Sequence, residues 1–191
     1  MELIEGLMWM QDKDCTHADI KPSNILVSTA SLEGEGAPRP VYTDFSSTIL
    51  SRPDKMIESE ASPLGAGTWD YLDPSLLSSL STVPPSAATD LWSLAITLLF
   101  LILGSSPYDA FKGNKFQQRE MIKSGSPLQC MGYDDQGIQN VKRLQTLSRD
   151  LGFDVKRWLE KVLVKDAGRR VEITAWQGEL EAATKTVAAK I

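Results

Sequence analysis

Residues 17 to 24 read HADIKPSN: a histidine, an acid, a lysine, a proline and an asparagine within eight positions. A connecting loop could use any turn residues, whereas this one places Asp19, Lys21 and Asn24 where charge would be held in fixed places. A second acid, Asp44, stands in TDFSS at 43–47. Carboxylate, ammonium and carboxamide in this order suit chemistry in which charge is moved or neutralised. Taken singly, each has a plainer reading. Asp19 would serve as a turn or cap residue, Asp44 could end a strand, and Lys21 could be a solvated surface charge. His17 is the single histidine and invites a role as base, but a satisfied structural histidine explains it equally well. Cys15 and His17 could start a metal site, yet no second ligand pair follows.

The elements that must position these residues can be read on either side. Leu3, Leu7 and Met10, with Ile4 and Met8, recur at helical spacing before the loop. ILVS (25–28) reads as a short strand after it, and PVYTDF (40–45) as a second strand. The two are expected to form a hairpin across the turn-rich stretch TASLEGEGAPRP. Residues 46–87 are rich in Ser, Thr, Pro and Gly and predict a long irregular segment. Helices are expected over 88–103, 114–123, 141–164 with a break near Gly152, and 173–190. The outline is α+β with helix dominating.

Composition narrows the function. Apolar residues make up 42% of the chain and charged residues 24%, an ordinary globular balance. A net charge of −5 argues against a general nucleic-acid binder but leaves nucleotides open, since a few local cations and backbone N–H groups can hold phosphate. Two distant cysteines, Cys15 and Cys130, form no disulfide framework and suggest a reducing compartment, cytoplasmic or nuclear. The N-terminus lacks the basic region of a signal peptide. LWSLAITLLFLILG (91–104) is too short for a membrane span and reads as a buried core helix.

Four motifs stand in a fixed order: HADIKPSN, TDFSS, GTWDYLDPS (67–75) before TDLWSLAITLLFLILG, and KDAGRRVEI (165–173). In this order they resemble the C-terminal lobe of a eukaryotic protein kinase of the serine/threonine type. The resemblance runs from residue 1 to about 178. It implies a catalytic loop at 17–24, an activation segment at 44–75, a helical subdomain at 88–178 and a helix end at 179–191. It further implies ATP-dependent phosphoryl transfer to protein hydroxyls, chemistry that rests on positioning and charge neutralisation. By resemblance, Asp19 orients the substrate hydroxyl and accepts its proton, and Lys21 steadies the transferring phosphate. Asn24 and Asp44 offer oxygens to magnesium, which favours hard donors. Leu26 lies at the adenine floor, Thr68 bonds near Asp19 and Lys21, Asp90 holds the loop backbone, and His17 packs beside Phe45.

The sequence also departs from the family pattern. Ala18 replaces the arginine that usually meets an activation-segment phosphate, and Ser46 replaces the glycine of Asp-Phe-Gly. Asp73-Pro74-Ser75 stands for Ala-Pro-Glu, so Arg170 is expected to lose its usual glutamate partner, with Asp73 as the one nearby substitute. No glycine-rich loop or strand lysine precedes the catalytic loop, so the expected fold is a C-terminal lobe without its N-terminal lobe. The chain alone is then expected to hold ATP weakly. Its apolar face at Ile25, Leu26 and Val27 would await the nucleotide or a partner protein. A non-catalytic, pseudokinase-like interaction module is the rival reading. No nucleic-acid or membrane partner is expected.

Overall fold

The computed structural model describes residues 1–28, 39–50, 69–77 and 83–188. Helix α1 (Glu2–Asp12) presents Leu3, Ile4, Leu7 and Met10 to the core, one face of a helical repeat. It ends at Lys13, and Asp14 turns the chain with φ 52°. Strand β1 (Cys15–Thr16) leads into the polar loop. Strands β2 (Ile25–Ser28) and β3 (Arg39–Tyr42) pair antiparallel, with Ile25 opposite Tyr42 and Leu26 opposite Val41. A second, smaller pairing joins β1 to β4 (Ile49–Leu50), Cys15 opposite Leu50. The two pairings clamp the ends of the polar loop: β1 enters it and β2 leaves it.

Helix α2 (Ala87–Leu103) is the hub. Trp92, Leu94, Ala95, Ile96, Leu99 and Leu103 are fully buried. Such a helix, apolar nearly all round, is stable only when enclosed. Its start is fixed by Thr89, whose hydroxyl accepts the Ser86 N–H at 2.8 Å. Its end is fixed by Gly104, which takes the left-handed conformation (φ 72°) that favours glycine. Around it pack α1, α5 (Asp134–Leu151) and, through shared core residues, α6 (Val155–Glu160) and α7 (Ile173–Ala188). Trp158 of α6 and Trp176 of α7 stack with ring centroids 4.0 Å apart. Each indole N–H donates to the other residue's carbonyl at 2.9 Å. A smaller core of Leu77, Tyr108, Phe111, Ile122 and Cys130 seats α3 (Lys115–Ser124) and α4 (Pro127–Cys130).

The architecture is the expected α+β outline, mostly helical, with a short antiparallel pair carrying the polar loop. Two boundaries differ from expectation, and one strand pairing is additional to it. The helix expected over 141–164 begins at Asp134 and ends at Glu160, with the expected break falling at Gly152 (φ 59°). Its first two turns, DDQGIQN, lack apolar periodicity. The strand expected over 40–45 stops at Tyr42, because Asp44 is left-handed (φ 58°) and breaks the extended run. The two-residue β1–β4 pairing is too short to leave a periodic signal. The turn-rich stretch expected between β2 and β3, most of the irregular segment expected after Leu50, and Thr68 lie outside the described residues. Among the described residues, no helix is long and apolar enough to cross a membrane.

Candidate active site

The polar loop is shaped from below by α2. Asp90, in the first turn of that helix, is 1% exposed and accepts two backbone N–H groups of the loop: His17 at 2.6 Å and Ala18 at 2.9 Å. Burial pushes the Asp90 carboxyl up to about 6, while the two N–H bonds pull the other way. Ala18 is left-handed (φ 64°), a conformation costly for a residue with a Cβ, and the two anchored amides hold it there. His17 is fully buried. Its Nε2 donates to the Thr43 carbonyl at 3.1 Å, and its Nδ1 faces the Asp19 N–H at 3.4 Å. Both ring nitrogens are thereby engaged. The ring packs against Phe45 and Tyr42, with centroids 5.1 and 5.8 Å away. His17 is a packing residue, as the sequence motif implied, and is turned away from reaction chemistry.

Asp19 follows with its backbone fixed and its carboxylate one-fifth exposed. Oδ2 accepts from Lys21 Nζ at 2.7 Å and from Asn24 Nδ2 at 2.9 Å. Asn24 Nδ2 also donates to the Asp19 carbonyl at 2.9 Å. Asn24 is buried in the short turn Pro22–Asn24. With its amide nitrogen spent on Asp19, the Asn24 Oδ1 is presented elsewhere and takes only a long 3.5 Å approach from the Ser23 hydroxyl. Asp19 Oδ1 accepts no bond among the described residues. A carboxylate with one oxygen held by a cation and an amide, and the other unengaged, is suited to receive a hydroxyl proton.

Asp44 arrives from β3. The Thr43 N–H donates to the Asn24 carbonyl at 2.9 Å, which ties Asn24 itself to the residue before Asp44. Asp44 caps the turn Phe45–Ser47. Its Oδ1 accepts from the Ser46 hydroxyl at 2.6 Å and from the Ser46 N–H at 3.4 Å. The Ser46 hydroxyl bond chiefly, then the backbone bond, hold the Asp44 carboxyl below the usual range, and the Lys21 and His17 charges act in the same direction. Asp44 is exposed and its Oδ2 accepts no bond among the described residues. One ionised carboxylate and one carboxamide oxygen fit a hard divalent cation that keeps waters and phosphate oxygens in its remaining positions. Among the described residues no group of three or more His, Cys, Asp and Glu could hold a metal alone.

Five of the residues singled out in the sequence lie in this region: Asp19, Lys21, Asn24, Asp44 and Leu26. Leu26 sits on the β2–β3 pair, 56% exposed, beside Val41 at 46%. Thr68 is outside the described residues. Arg170 lacks its usual glutamate, and Asp73, the nearby substitute, is fully buried and meets its Nη1 at 2.5 Å. The shift from residue 75 to residue 73 keeps the charge compensated. The Ser46 hydroxyl grip on Asp44 was missed, although an acid two residues before a serine is a recognisable turn signal. Ser46 itself is not among the residues at positive φ, so the glycine it replaces is not required by this backbone conformation.

Comparison with known proteins covers this whole region. The family model for the protein kinase domain matches residues 1–179. The serine/threonine-protein kinase TOS3 of Saccharomyces cerevisiae (strain ATCC 204508 / S288c) is 28% identical over 91% of this chain and 30% of its own length. The dual specificity mitogen-activated protein kinase kinase sek-1 of Caenorhabditis elegans is 28% identical over 84% of this chain and 41% of its own. The serine/threonine-protein kinase PkaB of Streptomyces coelicolor is 30% identical over 66% of this chain and 29% of its own. The chain thus spans about a third of the length of the curated relatives it matches.

Proposed function

From the chain's membership of the protein kinase domain family, we propose that it carries the substrate-side machinery of a serine/threonine protein kinase, transferring phosphate from ATP to protein hydroxyls. The observation that carries this reading is the Asp19 carboxylate, with Oδ2 bonded by Lys21 and Asn24 and Oδ1 accepting no bond among the described residues. In this reading Asp19 Oδ1 aligns the substrate hydroxyl and takes its proton. Lys21 lies 2.7 Å from Asp19 and carries the positive charge that meets the moving phosphate. Asn24 Oδ1 and Asp44 Oδ2 are the oxygens available to magnesium. Bound magnesium and ATP supply the activated phosphoryl group and neutralise its charge. Thr68 is assigned beside Asp19 and Lys21, and Leu26 beneath the adenine. The domain divisions proposed are the catalytic loop (17–24), the activation segment (44–75) and the helical subdomain (88–178).

A second reading, a non-catalytic lobe that binds a protein partner, is favoured by one observation. Leu26, Val27 and Val41 are 56%, 58% and 46% exposed on the strand pair. Nucleotide or protein could cover them. Labelled-phosphate transfer from Mg-ATP to a serine/threonine peptide library separates the readings. It is measured on the chain alone and on the chain joined to the nucleotide-binding lobe of a relative. Transfer by the joined protein that is lost on Asp44→Asn supports the kinase reading. No transfer by either form, with the fold intact, supports the interaction module.

A further inference from the structure

Ser46 stands two residues after Asp44, in the turn that Asp44 caps. Asp44 is left-handed, and this brings the following turn back over its own carboxylate. The Ser46 hydroxyl reaches Oδ1 at 2.6 Å, short for O–H···O and within the range of a bond to an ionised acceptor. The Ser46 N–H reaches the same oxygen at 3.4 Å. Both contacts fall on Oδ1, and among the described residues none falls on Oδ2. A glycine at this position would offer the backbone N–H alone.

We propose that Ser46 is a positioning residue for the divalent cation: its hydroxyl holds Oδ1 of Asp44 and presents Oδ2 as a one-oxygen ligand. This rests on the proposed role of Asp44 in holding magnesium. The consequence is a choice of cation. Magnesium takes single oxygens in a near-ideal octahedron, whereas calcium accepts both oxygens of one carboxylate and a looser shell. A carboxylate with one oxygen already bonded is a poor two-oxygen ligand, so Ser46 favours magnesium over calcium. It also fixes the carboxylate's rotation before the cation arrives, as hydrogen-bond partners of metal ligands commonly do.

The test is a water-proton relaxation titration of the full chain with Mn2+, with and without ADP, followed by displacement with Mg2+ and with Ca2+. Ser46→Ala and Ser46→Gly are expected to weaken Mn2+ about tenfold, the lower end of the effect of losing such a partner. Both are also expected to narrow the preference for Mg2+ over Ca2+ several-fold, on the order of the same lost restraint. Ser46→Thr, which keeps the hydroxyl, should retain the wild-type values within about twofold. Ser46 is exposed, so its variants should fold, and melting checks this. Unchanged Mn2+ affinity and cation preference in the alanine and glycine variants overturns the inference and leaves the role of Asp44 standing. Mn2+ binding that is absent in the wild type, or that survives Asp44→Asn, overturns the role of Asp44 and this inference with it.

Discussion

Asp73 and Arg170, 97 residues apart in the chain, meet as a buried ion pair at 2.5 Å. The guanidinium also donates to the carbonyls of Ala88, Val164 and Lys165, and lies 5.0 Å from the centre of the Trp92 ring. Asp73 in turn accepts the Ser75 N–H at 2.8 Å. The pair therefore links the segment before α2, the start of α2 and the segment before α7. Removing one partner leaves a buried charge without compensation, at about 3–5 kcal/mol. Asp73→Ala should lower the melting temperature by about 10 °C. Asp73→Leu combined with Arg170→Met should cost less than the two single changes added together, with a coupling of about 2 kcal/mol in a thermal double-mutant cycle. Additivity would show that the pair is not the unit that matters.

Asp19 and Asp44 should separate turnover from stability. In the chain joined to a nucleotide-binding lobe, Asp19→Asn is expected to slow phosphate transfer by about 10²–10⁴-fold. Nucleotide affinity should be retained. Asp44→Asn is expected to reduce transfer to near background, because the Oδ2 ligand loses its charge. Both substitutions are isosteric, and melting should move by about 2 °C or less. Larger shifts in melting than in turnover would return both residues to plain turn roles.

Asp90 predicts a pH dependence of folding. Its folded value of about 6 lies above the unfolded aspartate value of about 3.9. Folding takes up a proton between the two, so this contribution to stability is fully present below about pH 4 and lost as pH rises through about 6. The melting temperature of the wild type minus that of Asp90→Asn should fall across this window and level off above it. A difference that rises with pH would mean that the His17 and Ala18 N–H bonds outweigh burial.

Gly137 lies within α5, where alanine would ordinarily be the better helix former by about 1 kcal/mol. Here a Cβ would stand 2.2 Å from the Gly132 carbonyl oxygen. Gly137→Ala is therefore expected to destabilise by about 1–3 kcal/mol, against its helix propensity. Equal or higher stability by urea titration would show that the loop before α5 yields freely.

The residues of the site were legible because they are close in sequence. Asp19, Lys21 and Asn24 make contacts spanning five positions or fewer. The long apolar run made α2 legible, and Ile25 to Ser28 made β2 legible. What escaped is what depends on distant or very short pairing. The β1–β4 contact is two residues long, and the residues buried at the start of α5, Gly137 and Asn140, are not apolar side chains and leave no hydrophobic period. The acid that meets Arg170 could be narrowed to Asp73 but not placed, since distance along the chain says nothing about which of two nearby residues faces inward. The Ser46 hydroxyl contact needed the left-handed Asp44, which the sequence allows without requiring.

The grip of Asp90 on the loop has a consequence for how the chain is made. His17 and Ala18 take their carboxylate from a residue 73 and 72 positions later. On a ribosome adding 5–20 residues per second, that partner is synthesised roughly 4–15 s after the loop itself. During that interval the histidine, the strained alanine and the acid that follows them have no template for their shape. The site is thus finished only after α2 has been synthesised, and a chain stalled before residue 90 would hold every residue of HADIKPSN without the carboxylate that arranges them.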